Sequence, residues 1–207
     1  PGDDDIKSLT RFASTSGLTC EAPIASLDSV TAIGLPALVW LRIEGKNLWA
    51  ALVGIEGDAF RLTAEGNETL LAPGDEFREC FAGQALVMWR DPEPTGKTLR
   101  PGVKGPEVLE LQRNLRSLGR YSAEPTGIYD DVTSQAVARI QVETGIRIDA
   151  MAGRQVRMVL CSWLPNCPTP SLRGKLVGAP IVPTVARPEK PPEPPAGVDA
   201  GTPKAPP

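Results

Sequence analysis

Cys20, Cys80, Cys161 and Cys167 are the only thiols in this 207-residue chain, and no histidine accompanies them. A Ser/His or Cys/His pair needs an imidazole to take the nucleophile's proton near neutral pH, so that route to catalysis is closed. A zinc site without histidine needs four clustered thiolates, and the cysteine spacing does not resemble a zinc ribbon. No metal or cofactor is expected. The even count fits two disulfides, with Cys161 and Cys167 closing a short loop around Pro165 and Cys20 left for Cys80. Buried free thiols are the alternative.

Two pairs of neighbouring acids, Asp130 with Asp131 and Asp75 with Glu76, are the other groups that could do chemistry. A glycosidase places its two carboxylates on opposite sides of the scissile bond, which sequence neighbours seldom do. Turn and helix-cap roles are expected for them instead. The net charge of -3, with 22 basic residues scattered along the chain, gives no reason to expect nucleic acid or an anionic membrane surface as partner. No signal peptide precedes Pro1, and no run approaches the roughly 18 apolar residues that cross a bilayer. The chain therefore reads as an excised soluble portion of a larger protein.

Composition divides what must position these groups into three regions, and 41% hydrophobic residues suffice to fill one or two cores. The first opens with Asp3, Asp4 and Asp5 ahead of Ile6, Leu9, Phe12 and Ala13, which predicts a short helix. Short β-prone runs follow at 38–43, 48–55, 59–63, 68–71 and 85–89, with turns expected at Asn47, Gly57-Asp58 and Gly66-Asn67. They predict an antiparallel sheet. The Asp91-Pro92-Glu93-Pro94-Thr95-Gly96 stretch is a linker signal, because proline removes backbone donors and turns its neighbour away from helix. From Pro168 onward the chain holds 12 of its 22 prolines, too little apolar surface to offset chain ordering, so an extended tail serving as spacer is expected.

Between linker and tail the period becomes helical. Val108, Leu111, Leu115 and Leu118 share one stripe and Gly119 ends it. A loop from Tyr121 to Tyr129 follows, and Asp130 or Asp131 caps a second helix with Val132, Ala136, Val137 and Ile140, which Gly145 terminates. A third, from about Ala152 to Trp163, presents Val156, Val159, Leu160 and Trp163 before Pro165 breaks it. The run Gly127-Ile128-Tyr129-Asp130-Asp131-Val132-Thr133 recurs degenerately as Ala150-Met151-Ala152-Gly153-Arg154-Gln155-Val156, so the region reads as an internal duplication.

Val108, Leu111-Gln112, Leu118-Gly119 with Tyr121, Gly127-Ile128-Tyr129-Asp130 with Thr133, and Ile140-Gln141 fall in the order and spacing of a known pattern. Over about 60 residues this region resembles the peptidoglycan-binding domain family. Ile140 stands where an aromatic is usual, Ala150 where the second turn has glycine, and Val156 where it has threonine. Sugars and amino-acid ligands call for aromatic faces and planar hydrogen-bonding groups at a groove. Arg120, Tyr121, Tyr129, Asp130, Arg139, Gln141 and Arg147 are therefore the candidate binding residues, each with a plain structural alternative as packing, cap or solvated charge.

Cys20, the strand from Leu48 to Gly54, and the closing Phe81 to Arg90 resemble, more weakly, a degenerate papain-like domain of the bacteriocin-processing peptidase type. Leu48 takes the place of that family's histidine, which implies a catalytically dead domain. In that order, followed by the wall-binding module and a Pro-rich end, the chain resembles the periplasmic region of the general secretion pathway protein A family. The resemblance implies a Gram-negative periplasmic setting, attachment to the inner membrane through a preceding segment, a companion called protein B, and help in placing the type II secretin in the cell wall.

The expected architecture is α+β. It comprises a degenerate papain-like domain with an antiparallel sheet (1–92), a linker (93–102), a small three-helix peptidoglycan-binding domain (103–164) and a disordered Pro-rich tail (165–207). The expected function is non-catalytic binding of peptidoglycan. A protein-contact scaffold without wall binding and a wall hydrolase are the alternatives. Oligomeric state, a homo-oligomer included, is left open.

Overall fold

The computed structural model describes residues 2–174 except 22, 64–68, 95, 166 and 167. The chain runs α1 (Asp3–Thr15), β1 (Thr19–Cys20), α2 (Leu27–Ile33), β2 (Ala37–Ile43), β3 (Lys46–Glu56), β4 (Ala59–Thr63), β5 (Thr69–Ala72), α3 (Gly74–Cys80), β6 (Phe81–Trp89), then α4 (Pro106–Ser117), α5 (Asp131–Thr144) and α6 (Arg154–Trp163). The strands form one sheet in the order β1-β6-β2-β3-β4-β5, and every neighbouring pair is antiparallel. The α+β class, the antiparallel sheet and the three C-terminal helices agree with the sequence reading.

Alternation builds the sheet. Ala37, Val39 and Leu41 on β2 and Ala50 and Leu52 on β3 point to the core, where α2 supplies Leu27, Val30 and Ile33. Phe77 of α3 meets Phe60 of β4 with ring centroids 4.5 Å apart, which fixes α3 on the same face. The β2–β3 hairpin turns at Glu44-Gly45, both at positive φ (50° and 76°), as a two-residue turn matching strand twist requires. Asn47, expected at this turn, instead pairs with Arg42 inside the ladder. Gly57-Asp58 does turn β3 into β4, and Gly66-Asn67 lies outside the described residues.

Three elements escaped the sequence reading: β1, α2 and α3. The first helix forms as expected, yet of its apolar residues only Ala13 is buried, and Phe12 stays 69% exposed. The start of the tail differs too. Leu172 is fully buried, its N–H donates to the Gly34 carbonyl (2.8 Å) and its carbonyl accepts from Ile55 N–H (2.7 Å). Thr169 accepts from the Arg90 N–H (2.8 Å). Residues 168–174 therefore dock on the sheet domain, because one buried leucine with paired backbone offsets the ordering of a short segment. Residues 175–207 lie outside the described residues.

The sheet and the helical bundle share one continuous core. α2 packs against α5 and α6 as well as against the sheet. Trp163 Nε1 donates to the Ala32 carbonyl (3.1 Å) and the Ser162 hydroxyl to that of Ile33 (2.5 Å). Leu99 bridges to Ala152, so the end of the expected linker belongs to the bundle.

Candidate functional site

Val108, Leu111 and Leu115 bury one face of α4, and Gln112 sits among them with no exposed surface. A primary amide in that position must find partners, since an unpaired buried polar group costs about 1–3 kcal/mol. Its oxygen accepts from the N–H groups of Thr126 and Gly127 (2.8 Å each), and its nitrogen donates to the Ile128 carbonyl and the Thr133 hydroxyl (2.9 Å each). Gln112 thus clamps the loop that leads into α5. Asp130 completes the corner as N-cap, accepting from Thr133 N–H (2.9 Å) and Thr133 Oγ1 (2.7 Å). Those hydrogen bonds hold the Asp130 carboxyl below its ordinary value.

Gln141 repeats the arrangement one helix later. Its oxygen accepts from the N–H groups of Asp149 (3.1 Å) and Ala150 (2.8 Å), and its nitrogen donates to Asp149 Oδ1 (2.8 Å) and the Met151 carbonyl (3.1 Å). Gly127 (φ 72°) and Ala150 (φ 56°) take the same left-handed conformation at matching places. Val156, standing where the first unit has Thr133, cannot accept from the glutamine, and the Asp149 carboxylate does so instead. Burial pushes that carboxyl up, but the Met151 N–H, Gln141 and Arg147 together hold it below its ordinary value. Tyr129 joins the two units through its hydroxyl, which donates to the Ala150 carbonyl (2.7 Å). Burial, with the Asp149 charge, raises that phenol's pKa.

This geometry sorts the candidate residues. Tyr121 and Tyr129 are 4% and 1% exposed, so neither ring offers a face to a sugar; both serve the core. Gln141 and Asp130 are spent on loop and cap. Arg120 pairs with Glu143 (2.6 Å) and lies 5.4 Å over the Trp163 ring, and Arg147 approaches Asp149 (3.5 Å). Arg139 is exposed on α5 with no side-chain partner among the described residues. The seven do not converge on one groove. Gln112, which the sequence places in the family pattern and in an apolar stripe, is not among the seven candidate residues, and its clamp on the loop comes from the structure.

A cleft of about 490 Å³ opens on the other side of α4, lined by Leu109, Arg113, Arg116, Ser117, Glu124 and Pro125. Arg116 is held by Glu124 (2.6 Å), which lowers the Glu124 pKa. Arg113 is exposed and has no side-chain partner among the described residues.

The pairing of Cys20 with Cys80 does not occur; both are free. Cys20 lies opposite Met88 near one end of β6, whereas Cys80 immediately precedes Phe81 at the other, about 25 Å of strand away and far beyond disulfide reach. Burial pushes the Cys20 thiol up, the reverse of nucleophile activation. Leu48 lies on β3, three strands from β1 and level with Phe81 through Leu41, whereas Cys20 is level with Met88, so a base there would stand roughly 27 Å from the thiol at usual strand spacing and rise. Cys161 on α6 is bonded rather than free, and Cys167 lies outside the described residues.

Residues 104–160 match the family described as "Putative peptidoglycan binding domain". The chain is 22% identical over 138 residues to "Putative general secretion pathway protein A" of Escherichia coli (strain K12), covering 67% of this chain and 28% of the relative. It is 32% identical over 91 residues to the N-acetylmuramoyl-L-alanine amidase CwlL of Bacillus licheniformis, covering 42% and 25%. It thus spans about a quarter of each relative's length. Among solved structures, a periplasmic domain of the EpsAB fusion protein of the Vibrio vulnificus type II secretion system is 20% identical with a TM-score of 0.42, covering 70% of this chain and 64% of that one. The chain therefore carries, over residues 104–160, a domain of the peptidoglycan-binding family, in a setting that resembles general secretion pathway protein A.

Proposed function

We propose that this chain is a non-catalytic, periplasmic peptidoglycan-binding region of a type II secretion protein, held to the inner membrane through a preceding segment and helping to place the secretin in the cell wall. The family match over residues 104–160 carries the wall-binding part of this reading. The likeness to general secretion pathway protein A over two thirds of the chain supports the secretion part and, with it, protein B as companion. The absence of any histidine supports a binding role, since neither a Cys/His pair nor a histidine-ligated zinc can form. Arg139, Arg120 and Arg147 remain the exposed candidates for wall contact. A disulfide from Cys161 to Cys167 closes the α6 end.

Co-sedimentation of the full chain with purified insoluble sacculi tests this directly. The protein is expected to pellet with the sacculi and to release no soluble fragments from them. If it stays in the supernatant, the bundle is a protein-contact scaffold; if fragments appear, the domain arrangement belongs to a hydrolase.

A further inference from the structure

Peptidoglycan offers two different chemistries, glycan strands and short peptides with free carboxylates, and this bundle is built for one of them. Residues 103–164 contain three aromatic side chains, Tyr121, Tyr129 and Trp163. Both tyrosines are buried, and Trp163 donates to Ala32 while Arg120 covers its ring. No aromatic ring lines the α4 cleft, so the stacking platform on which a sugar ring would settle is missing from it.

The cleft has the opposite complement. Arg113 and Arg116 against Glu124 leave one uncompensated positive charge in its lining. The planar guanidinium of Arg113, with five donors and no partner among the described residues, suits bidentate capture of a carboxylate. The Ser117 hydroxyl donates to the Asn114 carbonyl (2.8 Å), which leaves its lone pairs free to accept a peptide N–H. Leu109 and Pro125 supply apolar wall for a small aliphatic side chain. Resting on the wall-binding reading above, we infer that the cleft between α4 and the loop at Glu124-Pro125 binds the carboxylate-bearing stem peptide of peptidoglycan rather than its glycan strand, with Arg113 as the anchoring cation.

The test uses the full chain with two soluble probes: stem peptides cleaved from sacculi, and the glycan strands left after that cleavage. Calorimetric titration should show binding of the peptide and none of the glycan, and Arg113→Ala should weaken peptide binding about tenfold or more. Arg11→Ala, which removes an exposed charge from α1, should bind as the unaltered protein does. Equal affinity in Arg113→Ala, or binding of glycan in preference to peptide, overturns the inference. Intact sacculi separate this failure from a wider one. If the unaltered protein pellets with them but soluble stem peptide does not compete, the cleft assignment falls and wall binding stands. If it does not pellet, both fall.

Discussion

Gln112 and Gln141 occupy equivalent positions on consecutive helices, and each uses its buried amide to hold the backbone of the loop ahead. The two loops differ in the residue at the left-handed corner, Gly127 in one and Ala150 in the other. A Cβ at positive φ crowds the carbonyl and costs about 1–2 kcal/mol, partly offset by the smaller entropy alanine loses on folding. Ala150→Gly should therefore stabilise the protein by about 0.5–1 kcal/mol. Denaturant unfolding measures it, and a lower midpoint would mean that the corner relaxes around the methyl group.

Removing either clamp has a larger effect of opposite sign. Gln112→Leu keeps the apolar packing but strands the Gly127 N–H, a buried donor, along with the Thr126 N–H and the Ile128 carbonyl. Losing these bonds costs about 3 kcal/mol, with each stranded group contributing about 1 kcal/mol or more. Gln141→Leu should cost less, because Asp149 still accepts from Met151 N–H (2.9 Å) and keeps part of its loop in shape. Hydrogen exchange at Gly127 and Ala150 shows which loop opens in each variant. Equal exchange in both and in the parent would remove the clamp role.

The helices and most strands were legible in the sequence because Val108, Leu111 and Leu115, or Ala37, Val39 and Leu41, repeat at the period of their element. What escaped is what periodicity does not encode. α3 is hidden because Gly74, Asp75 and Glu76 read as a turn, and its burial rests chiefly on Phe77. α2 is a short amphipathic helix of about two turns whose partners, β6 and α5, lie far along the chain. For the site, residue type pointed to Tyr121 and Tyr129, whose rings turn inward. Gln112 belongs to the family pattern, yet its role depends on four partners between residues 126 and 133 that spacing alone does not reveal.

Contact between the two domains gives a third expectation. Gly145 ends α5 at φ 63°, and a Cβ there would collide with the Ser29 side chain of α2. Gly145→Ala combines the left-handed penalty with loss of this close approach, so a destabilisation of about 2 kcal/mol or more is expected. Because α2 also packs on the sheet, both domains should melt at the lower temperature together. Two separated transitions would show that the shared core does not couple them.

Glu21 makes the last prediction one of sign. It is 7% exposed beside the fully buried Asp91 carboxylate, with Arg154 Nε 3.9 Å from each and Arg157 Nη2 3.3 Å from Asp91. Burial raises the Glu21 pKa above 4.5, Arg154, Trp89 and Arg157 oppose this, and the Asp91 charge adds to it. The fold therefore prefers the neutral acid. Its stabilising contribution is fully present below the unfolded value of 4.5 and is lost as pH rises through the higher folded value. Glu21→Gln, neutral at every pH, should match the parent near pH 4 and melt at a higher temperature at pH 7. Asp130, Asp149 and Glu124, whose pKa values are lowered, lose their contributions as pH falls, but they do so in both proteins and drop out of the difference. A variant that melts lower than the parent at pH 7 would show that attraction to Arg154 and Arg157 exceeds the cost of burying the charge, and that Glu21 fastens the sheet to α6 as an ion.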